Sequence, residues 1–187
     1  MNEGKYVFTQ VTRLVPRQIF QRLVKKYNGD YRVREFNCTN QLKYMLFGQL
    51  MPCDSLRDIC LCLGKHEKIL YGLGMTTSVN ESTLSRANES RDYRIFEGLG
   101  QALIKQNLTV KHLLGCSENA VKIHLWTAII TYLLLARVKA LYKSPYSITE
   151  IGTLVRVYGL VRMDLGQLVT TPQQLIPNQD VNELTLF

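Results

Sequence analysis

The reading of the fold turns on one stretch: Glu118-Asn119-Ala120-Val121-Lys122-Ile123-His124-Leu125-Trp126-Thr127-Ala128-Ile129-Ile130-Thr131-Tyr132-Leu133-Leu134-Leu135-Ala136-Arg137-Val138-Lys139-Ala140-Leu141-Tyr142. Val121, Leu125, Ile129, Tyr132, Leu133, Ala136 and Ala140 fall on one face of a long helix, which is the face expected to be buried. Trp126, Ile130, Leu134, Leu135 and Val138 make the helix apolar nearly all round, as expected of a helix inside a larger domain. The residues after 104 are too few to cover it, so the sequence predicts a missing piece. The longest apolar run, Leu125 to Ala136, is 12 residues between Lys122 and Arg137. A bilayer span needs about 20, so no membrane partner is expected.

Downstream, Ser144-Pro145 breaks the chain. Ser147-Ile148-Thr149-Glu150 reads as a capping box opening a helix that carries Ile151, Leu154, Val155 and Tyr158. A short helix over Met163 to Val169 follows, then a tail with Pro172 and Pro177.

Upstream, the chain reads as a series of short helices. Phe8, Val11 and Val15 share helical spacing. After Pro16, suited to a first turn, Ile19, Phe20, Leu23, Val24 and Tyr27 form an apolar face with Arg17, Arg22, Lys25 and Lys26 off it. Asn28-Gly29-Asp30 stops that helix, and Tyr31 to Phe36 alternates as an extended stretch. Thr39 is placed to cap a helix bearing Leu42, Met45, Leu46 and Leu50. Asp54 is placed to cap the next, with Leu56, Ile59, Cys60 and Leu63 on one face and Gly64 at its end. Tyr71-Gly72-Leu73-Gly74 reads as a loop.

Ser78-Val79-Asn80-Glu81 reads as a second capping box, with Ser78 at the N-cap and Glu81 at N3. The helix it opens is mostly polar, and it is solvated or faces a polar partner. Arg suits phosphate or guanine and Asn suits adenine. Thr83, Arg86, Asn88, Arg91 and Arg94 are therefore the candidate DNA contacts. Tyr93, Phe96, Leu99, Leu103 and Ile104 then continue as an amphipathic helix. Gly98-Leu99-Gly100 lacks the third glycine and preceding strand of a nucleotide loop.

The 187 residues carry 23 Lys and Arg against 15 Asp and Glu, a net charge of +8 with pI about 9.3. Residues 1–104 hold 15 basic and 10 acidic side chains, and residues 105–187 hold 8 and 5, so the excess is spread as +5 and +3. This suits a nucleic-acid partner and excludes a disordered or low-complexity chain. The N-terminal segment has no apolar signal core, so a cytoplasmic location is expected. The five cysteines are expected to be reduced. A zinc site from Cys53, Cys60, Cys62 and His66 is disfavoured, because Cys60 and Cys62 point about 200° apart on a helix. Asp54 and Asp58, the nearest approach to a carboxylate pair, read as helix-start residues rather than a catalytic pair.

Two blocks carry a family resemblance. The first runs from Met1-Asn2-x-Gly4-Lys5-Tyr6-Val7-Phe8 through Gln41-Leu42, Phe47-Gly48-Gln49-Leu50 and Asp54-Ser55-Leu56-Arg57-Asp58. It ends with Thr77-Ser78-Val79 and Leu84-Ser85-x-Ala87-Asn88-Glu89-x-Arg91-x-Tyr93-x-Ile95-Phe96. The second is Ile104-Lys105-Gln106-Asn107-Leu108, Lys111, Gly115-x-Ser117-x-Asn119-Ala120-Val121, Ile123 and Trp126-x-Ala128-Ile129-Ile130-x-Tyr132-Leu133-Leu134. Together they resemble the two ends of insertion-sequence transposases of the DDE superfamily, in the subgroup with an uncharacterised N-terminal domain before an RNase H-like catalytic domain.

The resemblance implies a mainly α chain. Residues 1–104 would be a helical N-terminal domain for DNA binding or dimerisation, and residues 105–187 a helical remnant of the catalytic domain. In the family two aspartates and a glutamate hold divalent metal (Mg), the glutamate within Tyr-x2-Arg-x3-Glu-x6-Lys. On that spacing Lys105 is the signature lysine, but the other positions fall on Arg91, Arg94 and Gly98, with Glu97 one residue out of register. Both aspartate-bearing strands are missing, as an internal deletion near 103–105 would leave the chain. No catalytic residue, metal ligand or cofactor is therefore expected here.

The function implied is DNA transposition without catalysis, with residual binding of the element's terminal inverted repeats. A homodimer, or pairing with a full-length transposase, is the expected assembly. The alternatives are a small regulatory DNA-binding protein derived from a transposase, or a non-functional product of a decayed element whose residues 105–187 lack cover.

Overall fold

The computed structural model describes residues 5–64, 67–75, 78–107 and 119–171. The calls on Met1 to Gly4, His66, Thr77, residues 108–118 (with Cys116) and the tail from Pro172 lie outside them. The described residues form helices and no strand, as a mainly α chain requires. In order they are α1 (Val7–Thr12), α2 (Arg17–Lys26), α3 (Cys38–Leu50), α4 (Leu56–Gly64), α5 (Glu67–Gly72), α6 (Glu81–Ser90), α7 (Arg94–Asn107), α8 (Asn119–Tyr142), α9 (Ile148–Tyr158) and α10 (Leu165–Thr170).

The long apolar helix, α8, is the axis of the assembly. It packs against α7, α3, α9, α6, α1 and α10. By length and composition alone α8 could cross a membrane, but half of its most apolar window is buried inside the protein. Its buried residues are Ile123, Trp126, Thr127, Ile130, Thr131, Leu133, Leu134, Leu135 and Val138, of which only Leu133 belongs to the face expected to be buried. The face expected to be buried is turned mostly outward: Val121, Leu125 and Tyr132 are 53%, 45% and 53% exposed. A helix apolar on every side carries no phase in its hydrophobic pattern, so the neighbours chose the face.

The cover for α8 comes from both sides of residue 104. The buried side chains of α1, α3, α7, α8, α9 and α10 belong to one core cluster. Residues before 104 thus cover one side of α8, while Val121, Leu125, Tyr132 and Leu141 on the other stay exposed, as the expected shortage of cover implies. Close approach to α7 is permitted by its glycines. A Cβ on Gly98 would lie 2.7 Å from Leu23 of α2, and one on Gly100 would lie 2.6 Å from the Trp126 ring of α8. These glycines pack helices rather than cradle a nucleotide.

The chain closes on itself through α1. Tyr6 and Arg162 form an isolated antiparallel bridge. Gln10, buried in α1, donates from Nε2 to the carbonyls of Lys5 (3.1 Å) and Met163 (2.6 Å). Its Oε1 accepts from the Leu165 N–H at 2.9 Å.

Local punctuation matches the sequence in part. Ser147 and Glu150 form the expected reciprocal capping box at α9. α3 is capped by Asn37 rather than Thr39, through Oδ1 accepting from the Asn40 N–H. At α4 it is Ser55, not Asp54, whose hydroxyl accepts from the Asp58 N–H. α6 is capped by Asn80, two residues after Ser78. Gly72 lies in α5, and the turn falls on Leu73-Gly74.

Candidate nucleic-acid interface

The extended stretch expected over residues 31–36 is a set of turns. α2 ends in paired C-terminal bonds: Gly29 N–H to the Val24 carbonyl at 2.9 Å and Asn28 N–H to the Lys25 carbonyl at 3.3 Å. Asn28 takes the left-handed φ of 51° that this ending needs. Arg32 is left-handed as well, with φ 57°. Asp30 closes the loop by accepting from the Cys38 N–H at 2.6 Å, which places it at the start of α3.

This loop and α6 face each other across an open cleft of about 800 Å³. Tyr27, Tyr31, Arg32 and Phe36 line one side, and Thr83, Arg86, Ser90, Arg91 and Asp92 line the other. Arg86 and Arg32 are exposed, and Thr83 is half-buried. Arg86 is oriented by Nε donating to the Ser82 carbonyl at 3.2 Å. The lining's single carboxylate, Asp92, is taken by Arg94, with 2.5 Å between Asp92 Oδ2 and Arg94 Nη2. The hydrogen bond from Arg94 holds the Asp92 carboxyl below its ordinary pKa. Arg94 also lies over the Tyr27 ring, 4.7 Å from its centroid. What remains among the described lining residues is Arg32 and Arg86 at the rim with no further carboxylate.

The five candidate contacts therefore separate into two groups. Thr83 and Arg86 line the cleft, and Arg94, exposed beside it, is tied to Asp92. Asn88 and Arg91 are buried. Arg91 donates from Nη1 to Gln41 Oε1 at 2.9 Å and from Nη2 to the Phe36 carbonyl. Gln41 Nε2 donates to Asn88 Oδ1 at 2.7 Å, and Asn88 Nδ2 reaches Met45 Sδ at 3.5 Å. Burial pushes the Arg91 pKa down, against the pull of Cys38 and Asp30. Burial likewise pushes the Cys38 thiol up to about 12. Arg91 lines the floor of the cleft, and Asn88 is buried behind it on the inner face of α6. Arg91 turns inward because the helix stops at Ser90 and Arg91 is extended, with φ −82° and ψ 139°.

Lys105 lies in α7, but its side chain is outside the described set. Arg32 and Tyr31 were not singled out in the sequence. Their signal is the Asn-Gly-Asp stop, which turns the chain back beside a basic helix.

Cys53 and Cys62 share a hydrogen bond, and burial raises the Cys53 thiol to about 12. The divalent metals implied by the transposase resemblance find no fitting donor set: among the described residues no three His, Cys, Asp or Glu side chains come together.

Residues 3–76 match a family described as a domain of unknown function (DUF4372). This domain is found at the N-terminus of transposase-like proteins. The match covers 74 of 187 residues, from before α1 to the turn after α5. It includes the loop side of the cleft and ends before α6. No curated protein and no solved structure matches the chain.

Proposed function

We propose that the chain is a transposase-family protein that binds DNA and does not cut or join it. The observation that carries the reading is the cleft between the 27–36 loop and α6. Its exposed Arg32 and Arg86 have no free carboxylate among the lining residues, and it is built partly from the segment that matches an N-terminal domain of transposase-like proteins. Guanidinium groups on a concave rim suit backbone phosphates, whose counterions are released on contact. Arg94 beside them, tied to Asp92, sets the edge of the footprint.

The lack of strand transfer is supported by how the described carboxylates are used. Asp30, Glu150 and Asp164 each accept from a nearby backbone N–H, Asp58 accepts from the Ser55 hydroxyl, and Asp92 binds Arg94. Two-metal phosphoryl transfer needs carboxylates converging on two cations a few ångströms apart. Capping a helix start or closing a loop uses the same oxygens locally.

The test is retardation of a duplex carrying a terminal inverted repeat, over a range of salt, with a nicking assay in Mg²⁺ alongside. We expect binding that weakens steeply as salt rises, with no nicked product. Absence of retardation at low salt overturns the binding, and Mg²⁺-dependent nicking by the purified chain overturns the inactivity.

A further inference from the structure

A second cleft lies at the other end of α2. It is about 570 Å³ and is formed where α1, the first turns of α2, α3 and the turn after α5 meet. Its floor is apolar, with Phe20, Leu42, Leu46 and Leu73 all buried. Its charged lining residues are Arg13, Arg17 and Lys43, and none of the lining residues is acidic. Arg13 and Arg17 are exposed. Lys43 is half-buried, with its ammonium donating to the Gly74 carbonyl.

Three cations around an apolar floor repel one another, and the low-dielectric wall strengthens that repulsion. The Lys43 ammonium bears the cost: burial and the charge of Arg17 both push its pKa down. α2 follows Pro16, which makes no side-chain cap, and its first turn holds no acidic residue. A fold can relieve such a cluster with a carboxylate, and this lining offers none. An anion from outside would relieve it. A phosphate group matches best, having several acceptor oxygens for a guanidinium fork and a point-like ammonium together.

We propose that this cleft is a phosphate-binding site, formed by Arg13, Arg17 and Lys43, which takes a phosphate group from a nucleic-acid backbone or from a small phosphorylated molecule. The site stands apart from the α6 cleft and does not depend on it. The two share no lining residue, one reaching Gln21 on α2 and the other starting at Tyr27 beyond its end. Exposed Arg22 and Lys25 lie along the helix between them.

The experiment uses the full chain and the double variant Arg13→Gln/Arg17→Gln, both positions being exposed so that folding is preserved. Melting temperature is measured to confirm this. Inorganic phosphate binding is followed by calorimetry, and duplex DNA binding by retardation across salt. Saturable phosphate binding that weakens about tenfold or more in the double variant identifies a small-anion site. If instead the variant's DNA affinity falls and its salt slope drops by about two, the site takes backbone phosphate. If the variant changes neither, the proposal is overturned. Arg86→Ala is the control. Its loss of DNA binding with phosphate binding intact separates the two clefts, and phosphate binding by a chain that fails to retard any DNA leaves this site standing while removing the reading above.

Discussion

Arg91 and Gln41, fifty residues apart in sequence, meet inside the protein with Nη1 2.9 Å from Oε1. The same Gln41 carries the bond on to Asn88, so α3 and α6 are joined by a buried polar chain rather than by apolar contact alone. Replacing Arg91 with Leu leaves Gln41 Oε1 and the Phe36 carbonyl buried without donors. We expect a loss of about 2–4 kcal/mol, read as a lower denaturation midpoint. Any loss of DNA affinity in that variant should follow the loss of fold and disappear when affinity is corrected for the folded fraction.

Arg86 is the contrasting case. Its side chain is exposed and its one hydrogen bond in the structure is to its own helix. Arg86→Ala should leave stability within about 0.5 kcal/mol of the parent. It should lower DNA affinity across sequences and reduce the salt slope by about one. Arg32→Ala should do the same, and an unchanged slope in both variants would move the footprint away from this cleft.

Asn119 secures the start of α8. Its Oδ1 accepts from the Tyr93 N–H at 3.0 Å, and its Nδ2 donates to the carbonyls of Asn88 and Arg91 at 3.0 and 2.6 Å. One side chain thus holds the break between α6 and α7. Asn119→Ala should cost about 1–3 kcal/mol, with faster amide exchange concentrated at residues 89–94 rather than along α9.

Glu150 gives the fold an acid-side sensitivity. The Ser147 N–H donates to its carboxylate at 2.7 Å, and this holds its pKa below the ordinary value. A carboxyl lowered on folding stabilises above its unfolded pKa, and that contribution is lost as pH falls through the folded value. Glu150→Gln should therefore reduce stability at neutral pH and flatten the acid limb of the stability profile. The two proteins should converge at low pH in urea titrations.

The parts legible in the sequence are those set by short-range chemistry. The Ser147–Glu150 box was readable because both partners sit within one turn, and α2 because its apolar stripe has a basic face opposite. The N-terminus of α6 was misplaced because Ser78 and Asn80 are both good caps, and only the path of the chain chooses between them. The outward face of α8 was unreadable because its pattern has no polar side to orient it. Arg91 reads in the sequence as a DNA contact, yet it is buried, for a different reason. A polar residue in a polar segment is assigned to solvent unless its partner is known, and its partners come from α3 and the loop before it.

The closure through Gln10 has a consequence for how far the family-matched segment can complete its own contacts. Its partners at Met163 and Leu165 lie 153 and 155 residues further on. The bonds that close α1 onto the turn before α10 thus depend on residues that follow it at long separation. The segment that recurs as a family unit, residues 3–76, keeps the Phe47 ring and the Gly72 carbonyl that α1 touches but not these later partners. Expressed alone, that segment would offer the Gln10 side-chain amide to whatever other surface could replace Met163 and Leu165.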